Sequence, residues 1–336
     1  MNIKKLITTA FLMSLAYASY GQGIEIDNML ANESTYSNPV VFQRFENTET
    51  NAATPDIPGF YGGASIWVME SDGSSLKLLR HPGRGPNAKH LDHPSISGDG
   101  QYVIYAEFEN AEIGRRGEAR LYKENLQTQE RIVIREQADC AIHHATLSLD
   151  DKDLTYNRDC GRNRSLVTEL GNLEIVVDPV ELGTRSGNGM SAGSKVVYQN
   201  EKRSREQSGR TIAIVLSEFD KQGNRTDRQI TDWEYRNRRA TISENGNFVA
   251  WQTNSTTGGE KDDILILDLN ELNAMPVRIT KSPANDGHPF FSRDDEWLLF
   301  ESDRTGNWEI FKLHIHSGEV IQLTDDSDYV STRPRW

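Results

Sequence analysis

The chain has 336 residues, 36% of them apolar and 26% charged, with a formal net charge of -13 at pH 7. That is enough apolar chain to bury one large all-β domain or two ordinary ones, and it excludes a disordered polyelectrolyte. The acidic balance excludes general nucleic-acid binding, which needs a basic footprint.

In chain order, "MNIKK" is a charged start, "LITTAFLMSLAYA" an apolar run, and small residues follow at Ser19 and Gly21. This pattern predicts a signal peptide over 1–21, an extension over 22–37, and a folded domain over 38–336. The apolar run is too short to span a bilayer, and no later run reaches that length. The expectation is a periplasmic or secreted chain with no membrane insertion.

One turn motif then recurs: an apolar anchor, Ser, a polar turn and a β-rich run. It appears as "HPSISGDGQYVIYA" from His93, "HATLSLDDKDLTYN" from His144, "GNGMSAGSKVVYQ" from Gly187, "RATISENGNFVAWQ" from Arg239 and "HPFFSRDDEWLLFES" from His288. The anchors are Ile96, Leu147, Met190, Ile242 and Phe291, about 43 to 52 residues apart, the length of one four-stranded propeller blade. Asp, Asn and Gly stand where a hairpin turn favours them. Each copy is followed by a second hairpin, such as "WEIFKLHIHSGEVIQLT".

"STRPRW" at 331–336 opens a sixth copy that stops short, while "NPVVFQRFE" and "ASIWVMESDGSSLKLLR" near the other end supply the remaining three strands. Joining the termini in one sheet removes an exposed sheet edge. The predicted fold is an all-β, six-bladed β-propeller whose closing blade is shared between the N- and C-termini.

The copies from His93 and His288 resemble the repeats of TolB-type propellers, whose pattern runs x-P-x-W-S-P-D-G into a strand. The resemblance covers nearly the whole chain after 38 and implies the fold. It leaves function open, because such propellers serve as interaction modules, peptidase domains and polysaccharide-degrading enzymes. No room is expected before the propeller for the N-terminal α/β domain of TolB itself.

In a propeller the innermost strand of each blade starts beside the central channel. Three residues before each anchor, in ring order, stand Arg333, His93, His144, Gly187, Arg239 and His288. Five cationic or proton-transferring groups at one repeat position suit an anion, and histidine adds proton transfer near neutral pH. The competing reading is a structural polar position bonded to the neighbouring blade. Gly187 reads as a gap through which a ligand enters. Basic loops flank it: "NRDCGRNRS" with Arg158, Arg162 and Arg164, "QNEKRSREQSGR" with Arg203, and "TDWEYRNRR" with Tyr235 and Arg236.

These residue types suit an anionic, uronate-containing oligosaccharide gripped by arginine, with β-elimination as the reaction. Arg239 and Arg333 are the expected carboxylate and enolate stabilisers, His144 the base and His93 or Tyr235 the acid, with His288 completing the ring. Arg158, Arg162, Arg164, Arg203 and Arg236 would bind neighbouring anionic groups. The ring also resembles the sites of propeller-fold polysaccharide lyases that act on pectic and ulvan uronates. No cofactor is expected, although the three ring histidines could hold a divalent metal. The alternative is a non-catalytic propeller that binds a protein or an anionic glycan. No HExxH or phosphate-binding Gly-rich loop occurs.

Cys140 and Cys160 lie at equal distances from a turn centred near Asp150, which places them opposite one another in a hairpin. In an exported chain a disulfide is the expected state.

Overall fold

The repeated Ser explains the hairpins. After each anchor, the hydroxyl of Ser97, Ser148, Ser243 or Ser292 accepts the backbone N–H of Tyr102, Asp153, Phe248 or Trp297, at 2.9 to 3.0 Å. Each turn then needs one residue with positive φ, taken by Gly100, Asp151, Gly246 and Asp295. Gly has no Cβ to clash there, and Asp tolerates that region.

The structure is a computed structural model that describes residues 36–46, 63–83, 88–109, 117–161, 163–170, 173–179, 184–203, 210–271 and 273–336. The expected leader over 1–21 and nearly all of the extension lie outside these residues.

The hairpins assemble into five sheets, antiparallel apart from one parallel pairing in the second. The first holds β1 (Pro39–Glu46), β2 (Ser65–Glu70), β3 (Lys77–Arg80) and, from the other end of the chain, β24 (Tyr329–Arg335). β24 pairs with β1 through Gln43 and Thr332, so the sheet expected from both termini is present. The second sheet has eight strands: β4 (His90–Ile96), β5 (Tyr102–Phe108), β6 (Ala119–Asn125), β7 (Arg131–Arg135), β8 (Cys140–Leu147), β9 (Asp153–Cys160), β10 (Asn163–Leu170) and β11 (Leu173–Val177). It consists of two groups of four joined where Ala119 pairs with Ala141 in parallel. The sequence predicts these groups as separate sheets; the small alanine pair lets the two backbones meet.

Three four-stranded sheets follow. They are β12 (Thr184–Ala192), β13 (Lys195–Arg203), β14 (Arg210–Phe219) and β15 (Arg225–Gln229); β16 (Asn237–Ile242), β17 (Phe248–Thr253), β18 (Asp263–Asp268) and β19 (Val277–Arg278); and β20 (Asp286–Phe291), β21 (Trp297–Ser302), β22 (Glu309–His314) and β23 (Val320–Gln322). Apolar side chains such as Tyr105, Tyr198, Trp251 and Phe300 are fully buried. First strands pack on first strands: β4 on β8, β8 on β12, β12 on β16, β16 on β20, and β24 on both β20 and β4.

Candidate functional site

Each first strand carries one irregularity at the same place. The pairing register shifts between Asp92 and Ser95, His143 and Thr146, Gly187 and Met190, Arg238 and Thr241, and Gly287 and Phe290. The residues that follow the break, His93, His144, Asn188, Arg239 and His288, have φ between 46° and 57°, and Arg333 on β24 has 54°. Such a bulge re-aims a side chain, and a non-Gly residue held there costs on the order of 1 kcal/mol or more.

The fourth ring position is therefore Asn188 and not Gly187, so the expected gap is filled. Counting back from Met190 fails because Ser191 pairs with Val196 as Ile96 pairs with Val103, and Ser has replaced the apolar anchor. A signal for the correct position exists in the sequence. Each ring residue is followed by Pro or a small residue: Pro94, Ala145, Gly189, Ala240, Pro289 and Pro334. At Gly189 a Cβ would come within 2.9 Å of the Leu166 side chain and 3.1 Å of the Val197 carbonyl, so a side chain there would force its neighbours to shift.

The bulged N–H groups are met by side chains from the preceding sheet. Gln43 Oε1 accepts from His93 at 3.3 Å, Asn157 Oδ1 from Asn188 at 2.9 Å, Gln199 Oε1 from Arg239 at 2.7 Å, Gln252 Oε1 from His288 at 3.3 Å, and Glu301 Oε2 from Arg333 at 2.7 Å. The corresponding residue on β5 is Ala106, opposite Asp92. Beside it, the Asp92 carboxylate reaches His93 Nδ1 at 2.7 Å and His144 Nδ1 at 3.6 Å.

The histidines are in mutual contact. The His93 ring lies 3.7 Å from His144 and 6.2 Å from His288, centroid to centroid. His144 Nδ1 meets His143 Nδ1, and His143 Nε2 lies 3.3 Å from Asp159 Oδ2. His288 Nδ1 meets Glu301 Oε1 at 2.6 Å. Burial pushes His288 down to about 4, with Arg239 and Arg333 adding to the effect against the pull of Glu301.

His93, His144, Asn188 and Arg239 line a small, partly open recess of about 20 Å³, together with Thr146, Met190, Thr241, Phe290 and Arg335. Each of the second group stands two residues beyond a ring position, on the same strand face. Arg335 is the charged member of that layer. Its Nη1 donates to the Pro334 carbonyl at 2.9 Å, its guanidinium lies 4.8 Å from the Phe290 ring centroid, and its Nε has no partner. Burial pushes Arg335 down to about 10, and the charge of Arg239 adds to the shift.

Of the expected site residues, the structure brings His93, His144 and Arg239 to the recess wall. His288 and Arg333 are buried beside them, with Arg333 Nη1 donating to Gln43 Oε1 at 3.1 Å. Tyr235 lies before β16 and is not on that wall. The described basic side chains are paired with carboxylates: Arg158 with Glu174 at 3.4 Å, Arg164 with Asp159 at 3.0 Å and Glu201 at 3.5 Å, and Arg236 with Asp262 at 3.1 Å. Glu174 and Asp262 come from elements outside the three basic loops, so the loops alone overstate the positive charge of this sector. Arg162 and the side chain of Arg203 lie outside the described residues. Cys140 and Cys160 pair across β8 and β9 and form a disulfide. Sequence reasoning missed Asp92, His143, Asn188 and Arg335; for Arg335 the signal is strand alternation from Arg333.

Asp92, His93 and His144 hold ligand-type atoms within 4.8 Å of one another. They do not fit a cation. Arg239 Nη1 lies 3.5 Å from His93 Nε2 and has only protons to give, so Nε2 carries the lone pair and Nδ1 the proton facing Asp92. His144 Nδ1 is turned to His143, and His288 Nδ1 to Glu301.

No protein-family model and no curated protein matches the chain. Solved structures do. TolB from Acinetobacter baumannii superposes with a TM-score of 0.62 at 15% identity, over 90% of this chain and 67% of that one. The hydrazine synthase of Kuenenia stuttgartiensis gives 0.62 at 11%, over 88% of this chain and 46% of that one. A chain of the nidogen/laminin complex gives 0.57 at 10%, over 89% and 98%. Among the described residues no helix is long and apolar enough to cross a membrane. Likeness at these identities speaks for fold alone, and that fold is a β-propeller.

Proposed function

We propose that the chain is an exported, six-bladed propeller over 38–336, its eight-stranded sheet counting as two blades, which takes the carboxylate of a uronate-containing oligosaccharide into the recess and cleaves the sugar by β-elimination. The observation that carries this reading is the pairing of Arg239 and Arg335 in one recess. Two guanidiniums share the wall, and burial together with their repulsion depresses Arg335, so a bound anion offsets that repulsion. The disulfide fits an oxidising compartment.

The chemistry follows from the tautomers. A carboxylate held by Arg335 draws Arg239 off His93 and stabilises the enolate formed when the adjacent C–H proton leaves. His144, with its Nδ1 proton turned toward His143 and Asp92, takes that proton at Nε2. The electron pair of the C–H bond forms the C=C bond, the C–O bond breaks, and the leaving oxygen takes the proton back from His144. Arg158, Arg164 and Arg236, held by carboxylates at the rim, would contribute to binding by exchanging partners, and Arg162 and Arg203 belong to the same loops.

The assay is the ultraviolet absorbance of a C=C bond conjugated to a carboxylate, measured over a panel of uronate oligosaccharides. Wild type gives the signal, His144→Ala lowers turnover roughly a hundred-fold or more with binding retained, and Arg335→Met weakens binding about ten-fold. A second reading, non-catalytic capture of an anionic glycan or a protein, is favoured by the buried backbone bonds that every described acceptor makes to the ring. Equal binding by wild type and His144→Ala with no absorbance change selects it. No binding of any anionic glycan overturns the sugar reading altogether.

A further inference from the structure

The hairpin that carries His144 holds more proton-handling groups than a lone base needs. His143 is buried, and its two ring nitrogens have different neighbours: Nε2 faces Asp159 Oδ2 at 3.3 Å, and Nδ1 meets His144 Nδ1. Asp159 is in turn gripped by Arg164, whose Nε lies 3.1 and 3.0 Å from its two oxygens. Burial raises Asp159, yet the His143 ring and the Arg164 guanidinium outweigh it and hold the carboxyl below its ordinary value. Asp159 and Arg158 stand on β9 opposite Ala141 and Ile142, one and two pairs away from the Cys140–Cys160 bridge.

We infer that His143 and Asp159 are positioning residues that fix the proton on His144 and take up its charge, forming a relay Arg164–Asp159–His143–His144 that runs from the rim to the recess. The inference deepens the proposed elimination and rests on it for its catalytic meaning. One proton lies between the two Nδ1 atoms. An ionised Asp159 draws the single proton of neutral His143 to Nε2, which leaves Nδ1 as an acceptor and places the shared proton on His144 Nδ1. Asp92 Oδ2, 3.6 Å from the same nitrogen, favours that arrangement too. The basic nitrogen of His144 is then Nε2.

The bookkeeping closes without another reactant. A proton taken up at His144 Nε2 makes one N–H bond. The Nδ1 proton passes to His143 Nδ1, breaking one N–H bond and making another. The positive charge comes to rest on His143, between two N–H groups, with its Nε2–H facing Asp159. On return of the proton to the leaving oxygen each step reverses.

The test needs no ligand. Long-range ¹H–¹⁵N spectra of the full chain report which nitrogen of each histidine is protonated. Expected are Nε2–H for His143 and Nδ1–H for His144. In Asp159→Asn, Arg164 captures the amide oxygen and leaves the NH2 facing His143, so both tautomers reverse and the titration midpoint of His144 falls by about one unit. Asp159→Glu keeps the wild-type tautomers, which separates loss of the carboxylate from loss of folding. Nε2–H on His144 in the wild type, unchanged tautomers in a folded Asp159→Asn, or selective broadening of His144 by Mn²⁺ would each overturn the relay. Tautomers as expected in a protein that eliminates no uronate leave the relay standing and remove the elimination. If elimination is seen, Asp159→Asn lowers kcat about ten-fold with KM nearly unchanged.

Discussion

Gln43 on β1 accepts the backbone N–H of His93 on β4 at 3.3 Å and donates to the Leu91 carbonyl at 2.6 Å, so one buried amide holds both sides of the bulge that presents His93. It also accepts from Arg333 Nη1 at 3.1 Å, which ties the two ends of the chain to the first full repeat. The same role falls to Asn157, Gln199, Gln252 and Glu301 elsewhere, so the ring is fixed by acceptors on second strands and not by its own side chains.

Gln43→Leu leaves the Leu91 carbonyl, the His93 N–H and the Arg333 guanidinium each short of a partner in a buried place. A loss of roughly 3 kcal/mol or more follows, since each orphaned group costs about 1–3 kcal/mol. Urea denaturation measures it; a midpoint equal to that of the wild type would show the amide to be dispensable.

The bridge between Cys140 and Cys160 closes a loop with a sequence separation of 20. The chain-entropy estimate for a loop of that size is about 3 kcal/mol, so the Cys140→Ser/Cys160→Ser double variant melts well below the wild type. Mass spectrometry without reductant is the companion measurement, and two free thiols in protein recovered from an oxidising compartment contradict the pairing.

Removing 332–336 takes Thr332, Arg333 and Trp336 out of buried positions and removes the pairings of β1 residues Val41 and Gln43 with Arg335 and Thr332. The exposed edge then carries Val40, Val41 and Phe42, and aggregation is the expected outcome. A soluble, cooperatively melting truncation would mean that β24 is not needed to seal the first sheet.

His288 sets a pH dependence. It faces Glu301 on β21, Arg239 on β16, Arg333 on β24 and His93 on β4, and burial holds it near 4 against about 6.5 in the unfolded chain. The unfolded state therefore binds the extra proton first. Stability from this group is complete above about pH 6.5 and is lost as pH falls toward 4, by roughly 3 kcal/mol. Glu301, also held below its usual value by His288 and Arg333 despite burial, loses its contribution in the same direction. Unfolding free energies at pH 7.5 and 4.5 give the slope; His288→Gln flattens it, and an unaltered slope in that variant assigns the effect elsewhere.

Much of the architecture was legible because it is local. The Ser after each anchor and the Asp, Asn or Gly in each turn act within a few residues, so the hairpins, the shared terminal sheet and the Cys140–Cys160 pairing follow from spacing alone. Five of the six ring residues were legible for the same reason. The sixth was not, because Ser191 stands where the other copies have their apolar anchor, so counting back from Met190 lands on Gly187, one residue before Asn188. Tertiary structure alone decided what surrounds the ring. Glu174 and Asp262 reach the basic side chains from other strands, Arg335 joins Arg239 across the recess, and Asp92 and Asp159 assign protons to histidines on neighbouring strands. These contacts link residues far apart in the chain, and no repeat pattern encodes them, because charge pairing and proton placement depend on distance in space and on burial.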